Sequence, residues 1–239
     1  PEKIHEMNLS RSMIFIFSLL AATCATAQGF IRTYSPNSSS AADLVQTDDG
    51  GYFMVGGIDV DSLLFLQRVN ANGQIAWTNH LDLNHASAIA VTKADDGGFA
   101  VLTEFYADTN GYKNAVLKLN AFGSVIWSKV IDNYLLPNGL RDIVSTSDGG
   151  YLLAGDTRNL NLNLKNWLVK LGTDGSIEWE KTFGYFINID GIISLPSGDY
   201  AISGGRNGGE LSLAKVSETG NLIWQQTYSK PSYQKAYDL

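Results

Sequence analysis

The 239 residues include 44% hydrophobic and 11% aromatic side chains, enough for a sizeable core and unlike a disordered chain. A formal net charge of −7, with no charge run longer than two residues, leaves no basic surface to neutralise a phosphate backbone and argues against nucleic acid as a partner. Twenty-four Gly against five Pro, with recurring Asp-Gly and Asn-Gly pairs, point to tight turns between short strands and an all-β class.

In chain order, Met7 opens a short polar stretch with Arg11, followed by an apolar run from Met13 to Ala22 and the small-x-small triplet Ala25-Thr26-Ala27. This reads as a secretory signal over residues 7–27, with mature protein from Gln28 and residues 1–6 as non-native upstream translation. The apolar run is shorter than the about 20 residues a bilayer span needs, so no membrane span is expected. Cys24, the one cysteine, stands in Ala21-Ala22-Thr23-Cys24, a poor fit to a lipid-attachment site, and the mature chain is left without thiol or disulfide.

From residue 28 onward one two-part pattern occurs four times. Its first part is a turn and an aromatic residue: Asp49-Gly50-Gly51-Tyr52, Asp96-Gly97-Gly98-Phe99, Asp148-Gly149-Gly150-Tyr151 and the degenerate Ser197-Gly198-Asp199-Tyr200. The second part is an alternating strand, a Gly turn and a Trp four residues on: Gly73 and Trp77, Gly123 and Trp127, Gly175 and Trp179, Gly220 and Trp224. The aromatic spacings are 47, 52 and 49 and the Trp spacings 50, 52 and 45, so the parts keep step. For the first repeat the pattern predicts strands at 42–47, 52–57, 63–70 and 74–81. Apolar residues flank Lys118 and Lys170, which the period of two places facing outward. Four short antiparallel strands per fifty-residue repeat predict a β-propeller with about four repeats present over residues 28–239. Phe30–Tyr34 resembles an orphan fourth strand and Lys235–Leu239 an opening strand, so two to four further repeats are expected.

The Asp-Gly-Gly-aromatic, Leu-Lys-Leu and Gly-x-x-x-Trp series resembles the secreted repeat proteins of Bacteroidetes-type bacteria, many of which carry a carboxy-terminal sorting domain for type IX secretion. Thr219-Gly220-Asn221-Leu222-Ile223-Trp224 also resembles the tryptophan-docking motif of quinoprotein propellers. That resemblance implies blade-to-blade packing for Trp77, Trp127, Trp179 and Trp224. The adjacent Cys pair which that family uses over its cofactor is absent from residues 28–239, so no cofactor is carried over.

Tyr52, Phe99, Tyr151 and Tyr200 take structural roles with the four Trp, whereas Trp167 falls outside the register and is the candidate ligand contact. The Asp-Gly-Gly turns offer at most a pair of carboxylates where calcium needs six to eight oxygens, and a type I′ or similar hairpin turn explains them without an ion. His5, His80 and His85 have no zinc spacing, and no metal ligand is assigned. No nucleophile elbow or phosphate loop occurs, so no catalytic or cofactor residue is assigned either. The expected function is a non-enzymatic secreted or cell-surface module binding a protein or glycan through the variable loops at 58–62, 104–113 and 156–165. The alternative is an extracellular glycan hydrolase using non-repeating acids such as Glu104, Asp108, Asp156 and Asp190.

Overall fold

The computed structural model describes residues 39–58, 63–83, 85–107, 111–131, 139–158, 161, 163–184, 188–206 and 210–229. The proposed signal, Cys24, Phe30–Tyr34, Asp108 and Lys235–Leu239 lie outside the described residues. All described elements are strands, in four sheets of four antiparallel strands each. Among the described residues no helix is long and apolar enough to cross a membrane.

Blade 1 comprises β1 (Ser39–Gln46), β2 (Tyr52–Ile58), β3 (Leu63–Val69) and β4 (Ile75–Leu81), paired in chain order. Blade 2 comprises β5 (Ser87–Lys93), β6 (Phe99–Tyr106), β7 (Tyr112–Leu119) and β8 (Val125–Ile131). Blade 3 comprises β9 (Leu140–Ser145), β10 (Tyr151–Arg158), β11 (Leu164–Leu171) and β12 (Ile177–Gly184). Blade 4 comprises β13 (Asn188–Ser194), β14 (Tyr200–Arg206), β15 (Glu210–Val216) and β16 (Leu222–Ser229). The first strand of each blade lies beside the first strand of the next, β1 by β5, β5 by β9 and β9 by β13. This is the blade arrangement of a β-propeller. The predicted strands of the first repeat differ from β1–β4 by one to three residues at their ends, most at β1, where Ser39 pairs with Ile58.

The tight turns have the expected positive-φ Gly, in a form other than type I′. In Thr47–Gly50 the Gly50 N–H donates to Thr47 O at 2.9 Å, and Gly50 alone in the turn has positive φ, 78°. Type I′ needs positive φ at both central residues; here only the closing Gly has it, so the central positions can hold ordinary residues such as Asp48 and Asp49.

The core lies between blades, not within them. Phe53, Val55, Leu64 and Leu66 of blade 1 pack on Val91, Phe99, Val101 and Leu117 of blade 2. Tyr151 and Leu153 face blade 2 while Leu152 and Ala154 face blade 4, so β10 reads as one continuous apolar run. The sheets of blades 2 and 3 therefore have two covered faces, and this overturns the outward placement of Lys118 and Lys170. Both are buried, 4% and 3% exposed. Lys118 Nζ donates to Asp96 at 2.7 and 2.8 Å and to Leu119 O at 3.1 Å. Lys170 Nζ donates to Asp148 at 3.0 and 2.8 Å, to Leu171 O at 3.2 Å and to Glu178 at 3.1 Å. Arg68 pairs with Asp49 in blade 1 and Lys215 with Asp199 in blade 4, at 2.5 and 2.7 Å.

The buried ammonium and its half-exposed partner predict an asymmetry. Asp96→Ala strands the Lys118 charge beside one carbonyl and costs about 3–5 kcal/mol. Lys118→Met removes that charge and returns Asp96 to water, at a cost of about 1 kcal/mol. Urea unfolding of the two variants gives the order, and equal losses would contradict this account of the pair.

Candidate functional site

The strand directions put two kinds of connection at opposite ends of the blades. One end carries the Gly turns; the other carries the hairpin loops β2–β3, β6–β7, β10–β11 and β14–β15 together with the blade-to-blade connections. At the turn end, the carboxylates are consumed by structure. Thr47, Arg68 and the Gly51 N–H hold Asp49 well below the usual carboxylate range. Burial works against Asp148, yet Lys170, Thr146 and the Gly150 N–H keep it at about 2. For Asp96, the Lys118 ammonium and the Gly98 N–H likewise outweigh burial and lower the pKa. A cleft of about 290 Å³ opens between blades 1 and 2 beside Asp48, Asp49, Arg68 and Lys93. Its charges are already matched, Lys93 with Asp48 and Arg68 with Asp49, each at 2.5 Å.

Two carboxylates that composition did not single out clamp neighbouring blades. Asp43 Oδ2 accepts the Val91 N–H of the next inner strand at 2.7 Å while Oδ1 accepts its own Leu44 N–H at 2.7 Å. Asp142 does the same with Ile192 and Ile143, at 2.7 Å each. Both stand nine residues before a repeat aromatic, Tyr52 and Tyr151, a signal that was legible in the sequence. They satisfy N–H groups on the free edge of an inner strand, where a bare donor would otherwise have no partner.

At the loop end, two of the candidate acids, Asp156 and Asp190, feel each other's charge. Asp156 is 8% exposed, and its Oδ1 accepts the Asn166 Nδ2 at 2.8 Å from the opposite position of β11. Burial pushes its pKa up to about 6, and Asp190 adds to the rise; hydrogen bonds from Asn166 and the Ile189 N–H and the charge of Arg141 act against it. In blade 2 the equivalent pair is Glu104 opposite Asn114, and there it is Asn114 Oδ1 that holds the next blade, accepting the Leu140 N–H at 2.9 Å. Asp156 and Asn114 thus stitch the first residues of an inner strand to the preceding blade. Glu104 is half-buried, and Asp190 is the extra residue of a bulge in β13.

Trp167 is 3% exposed, packed among blade 2 and blade 3 side chains, with its indole N–H donating to Glu180 at 3.2 Å. Phe99, Tyr151 and Tyr200 are buried and Tyr52 half-buried. Trp77, Trp127 and Trp179 each lie against the positive-φ Gly of the following blade. A Cβ at Gly123, Gly175 or Gly220 would stand 2.6, 2.9 or 2.6 Å from the respective ring. His80 lies beside Phe65, ring centroids 5.8 Å apart, and among the described residues no cluster of His, Cys, Asp and Glu could hold a metal ion. The side chains offered to solvent at the loop end include Tyr106 and Tyr112, an edge-to-face pair with centroids 5.3 Å apart, 46% and 58% exposed. The variable loop expected at 104–113 contains both, although neither tyrosine was singled out, because the hairpin does not repeat.

No protein-family model matches the chain, and no curated protein matches it in sequence. Among solved structures it is similar to a protein of unknown function from Dyadobacter fermentans, at 12% identity and a TM-score of 0.56 over 81% of this chain and 70% of that one. A neuraminidase-like protein of A/little yellow-shouldered bat/Guatemala matches at 13% identity and 0.53, over 84% and 62%. A quinoprotein alcohol dehydrogenase-like protein from Bacteroides thetaiotaomicron matches at 13% and 0.48, over 78% and 45%. At these identities the first two likenesses show the fold alone: an all-β propeller of four-stranded antiparallel blades.

Asp156 and the turn aspartates titrate in opposite senses. Unfolded, all sit near 3.8; folded, Asp156 binds its proton up to about 6 and Asp148 stays charged down to about 2. Lowering the pH from 7 protonates folded Asp156 first and raises stability. Below about 4 the unfolded chain takes up protons that folded Asp96 and Asp148 refuse, and stability falls. The urea midpoint is expected to peak near about pH 4–5. Asp156→Asn removes the gain on the neutral side, on the order of 2–3 kcal/mol, and leaves the acid limb. A wild-type midpoint that climbs between pH 5 and 7 would contradict the assignment.

Proposed function

We propose that this protein is an exported, non-enzymatic β-propeller that binds a protein or glycan at its loop end. One observation carries the reading: the recurrent polar residues are tied into structural pairs, while the exposed aromatic pair Tyr106–Tyr112 stands on a hairpin with no counterpart among the described residues of the other blades. A fixed framework with variable hairpins is how repeat folds present binding surfaces. Tyrosine presents a rigid apolar face with a polar tip, suited to stacking on a sugar ring or packing on a peptide. The segment 7–27, with its charged start, short apolar run and small-x-small end, supports export and release of a chain beginning at Gln28.

Replacing both residues, Tyr106→Ser with Tyr112→Ser, is expected to weaken binding at least about tenfold in a panel of soluble polysaccharides and surface proteins, with the unfolding midpoint unchanged within about 0.5 kcal/mol. Undiminished binding by the double variant would remove this surface from the proposal. Release of reducing sugar from the panel by the wild-type protein would replace binding with hydrolysis.

A further inference from the structure

Three positions on each blade face the following blade. They are the Trp, the residue four after it, and the inner-strand residue paired one beyond the repeat aromatic. In blade 1 these are Trp77, Leu81 and Val45, all packed into the core shared with blade 2. In blade 3 they are Trp179, Phe183 and Val144, all packed into the core shared with blade 4. In blade 4 the same positions hold Trp224, Tyr228 and Ile193, which are 46%, 48% and 36% exposed. The polar contacts follow suit. Asn79, two residues after Trp77, donates to Phe122 O in the next turn at 3.2 Å, and Lys181, two after Trp179, reaches Asn221 Oδ1 at 2.9 Å. Gln226, two after Trp224, bonds instead to Thr227 O of its own strand at 3.2 Å. The inner strand β13 adjoins β9 and makes no comparable contact with β1.

We infer that the outward flank of blade 4 is an unfilled blade-to-blade interface, whose occupant is a further blade of the same repeat presenting a positive-φ glycine to Trp224. The surface is the one that blades 1 and 3 bury against their neighbours, carried on the same strand positions, so its complement is the flank those neighbours offer. That flank is a Gly turn whose missing Cβ admits the indole ring: at Gly123, Gly175 and Gly220 any side chain would collide with the Trp. An unrelated partner would not need glycine there; a blade of this repeat does.

The test appends to Leu239 a copy of residues 144–184, in register because Asp238-Leu239 matches Asp142-Ile143. Oxidative footprinting of Trp224 is expected to fall to the level of Trp179, and the urea midpoint to rise by about 0.5–1 M. The same extension carrying Gly175→Val in the appended copy is expected to do neither. Equal protection by both extensions, or none by either, overturns the inference. The unextended chain supplies a second measurement. Trp179→Ala lowers its midpoint and Trp224→Ala does not; equal losses would mean that the seat is already filled. Sedimentation showing a dimer that Trp224→Ser abolishes would assign the flank to a second copy and overturn the inference likewise.

Discussion

The ion pair between the first-turn carboxylate and the third-strand cation is the contact on which each blade depends. It joins the turn of Asp96-Gly97-Gly98 to Lys118 at a place where both faces of the sheet are covered, so the ammonium has no route to water and must be met by protein. The glycines follow from that demand. A Cβ at Gly98 would stand 2.7 Å from Lys118 Nζ, and one at Gly150 2.6 Å from Lys170 Nζ. The second glycine is therefore the passage for the cation, while the first supplies the left-handed turn.

Blade 4 shows the same constraint satisfied another way. Ser197 replaces the aspartate and Asp199 replaces the second glycine, so the passage is closed and the carboxylate arrives two residues later. Lys215 still pairs with it at 2.7 Å, but its side chain is 26% exposed against 5% and 4% for Lys118 and Lys170. What looks like decay of the motif is a relocation of the charge, with the cation pushed outward by the added side chain.

How much of this was legible depends on whether a residue's partner lies nearby in sequence. The four repeats, their strands and their turns were readable because period and turn chemistry are local. The outward placement of Lys118 failed because alternation implies a solvated face only when a sheet has one, and a sheet between two blades has none. Trp167 looked exceptional by register, yet it is a core side chain, because the position it occupies is held by Phe65, Ala115 and Ser212 elsewhere and every one of them is buried. The shared register of Asp43 and Asp142, nine residues before a repeat aromatic, was legible, but their role was not, because their partners, Val91 and Ile192, are about fifty residues away and contribute only a backbone N–H.

The division between the two ends follows from the same economy of charge. At the turn end Asp49, Asp96, Asp148 and Asp199 are each drawn down by a cation or by hydrogen bonds, which fixes them as anions and leaves them little freedom to meet anything else. At the loop end the repeat imposes no such pairing. Glu104 and Asp156 face an asparagine where blades 1 and 4 have Gly57 opposite Leu64 and Gly205 opposite Leu211. Residues there can differ from blade to blade without unmaking the core, since the seams need only one polar group to hold the next inner strand, and Asn114 and Asp156 meet that need with different chemistry. Freedom of that kind at one end of a rigid framework is the condition under which a binding surface can diverge.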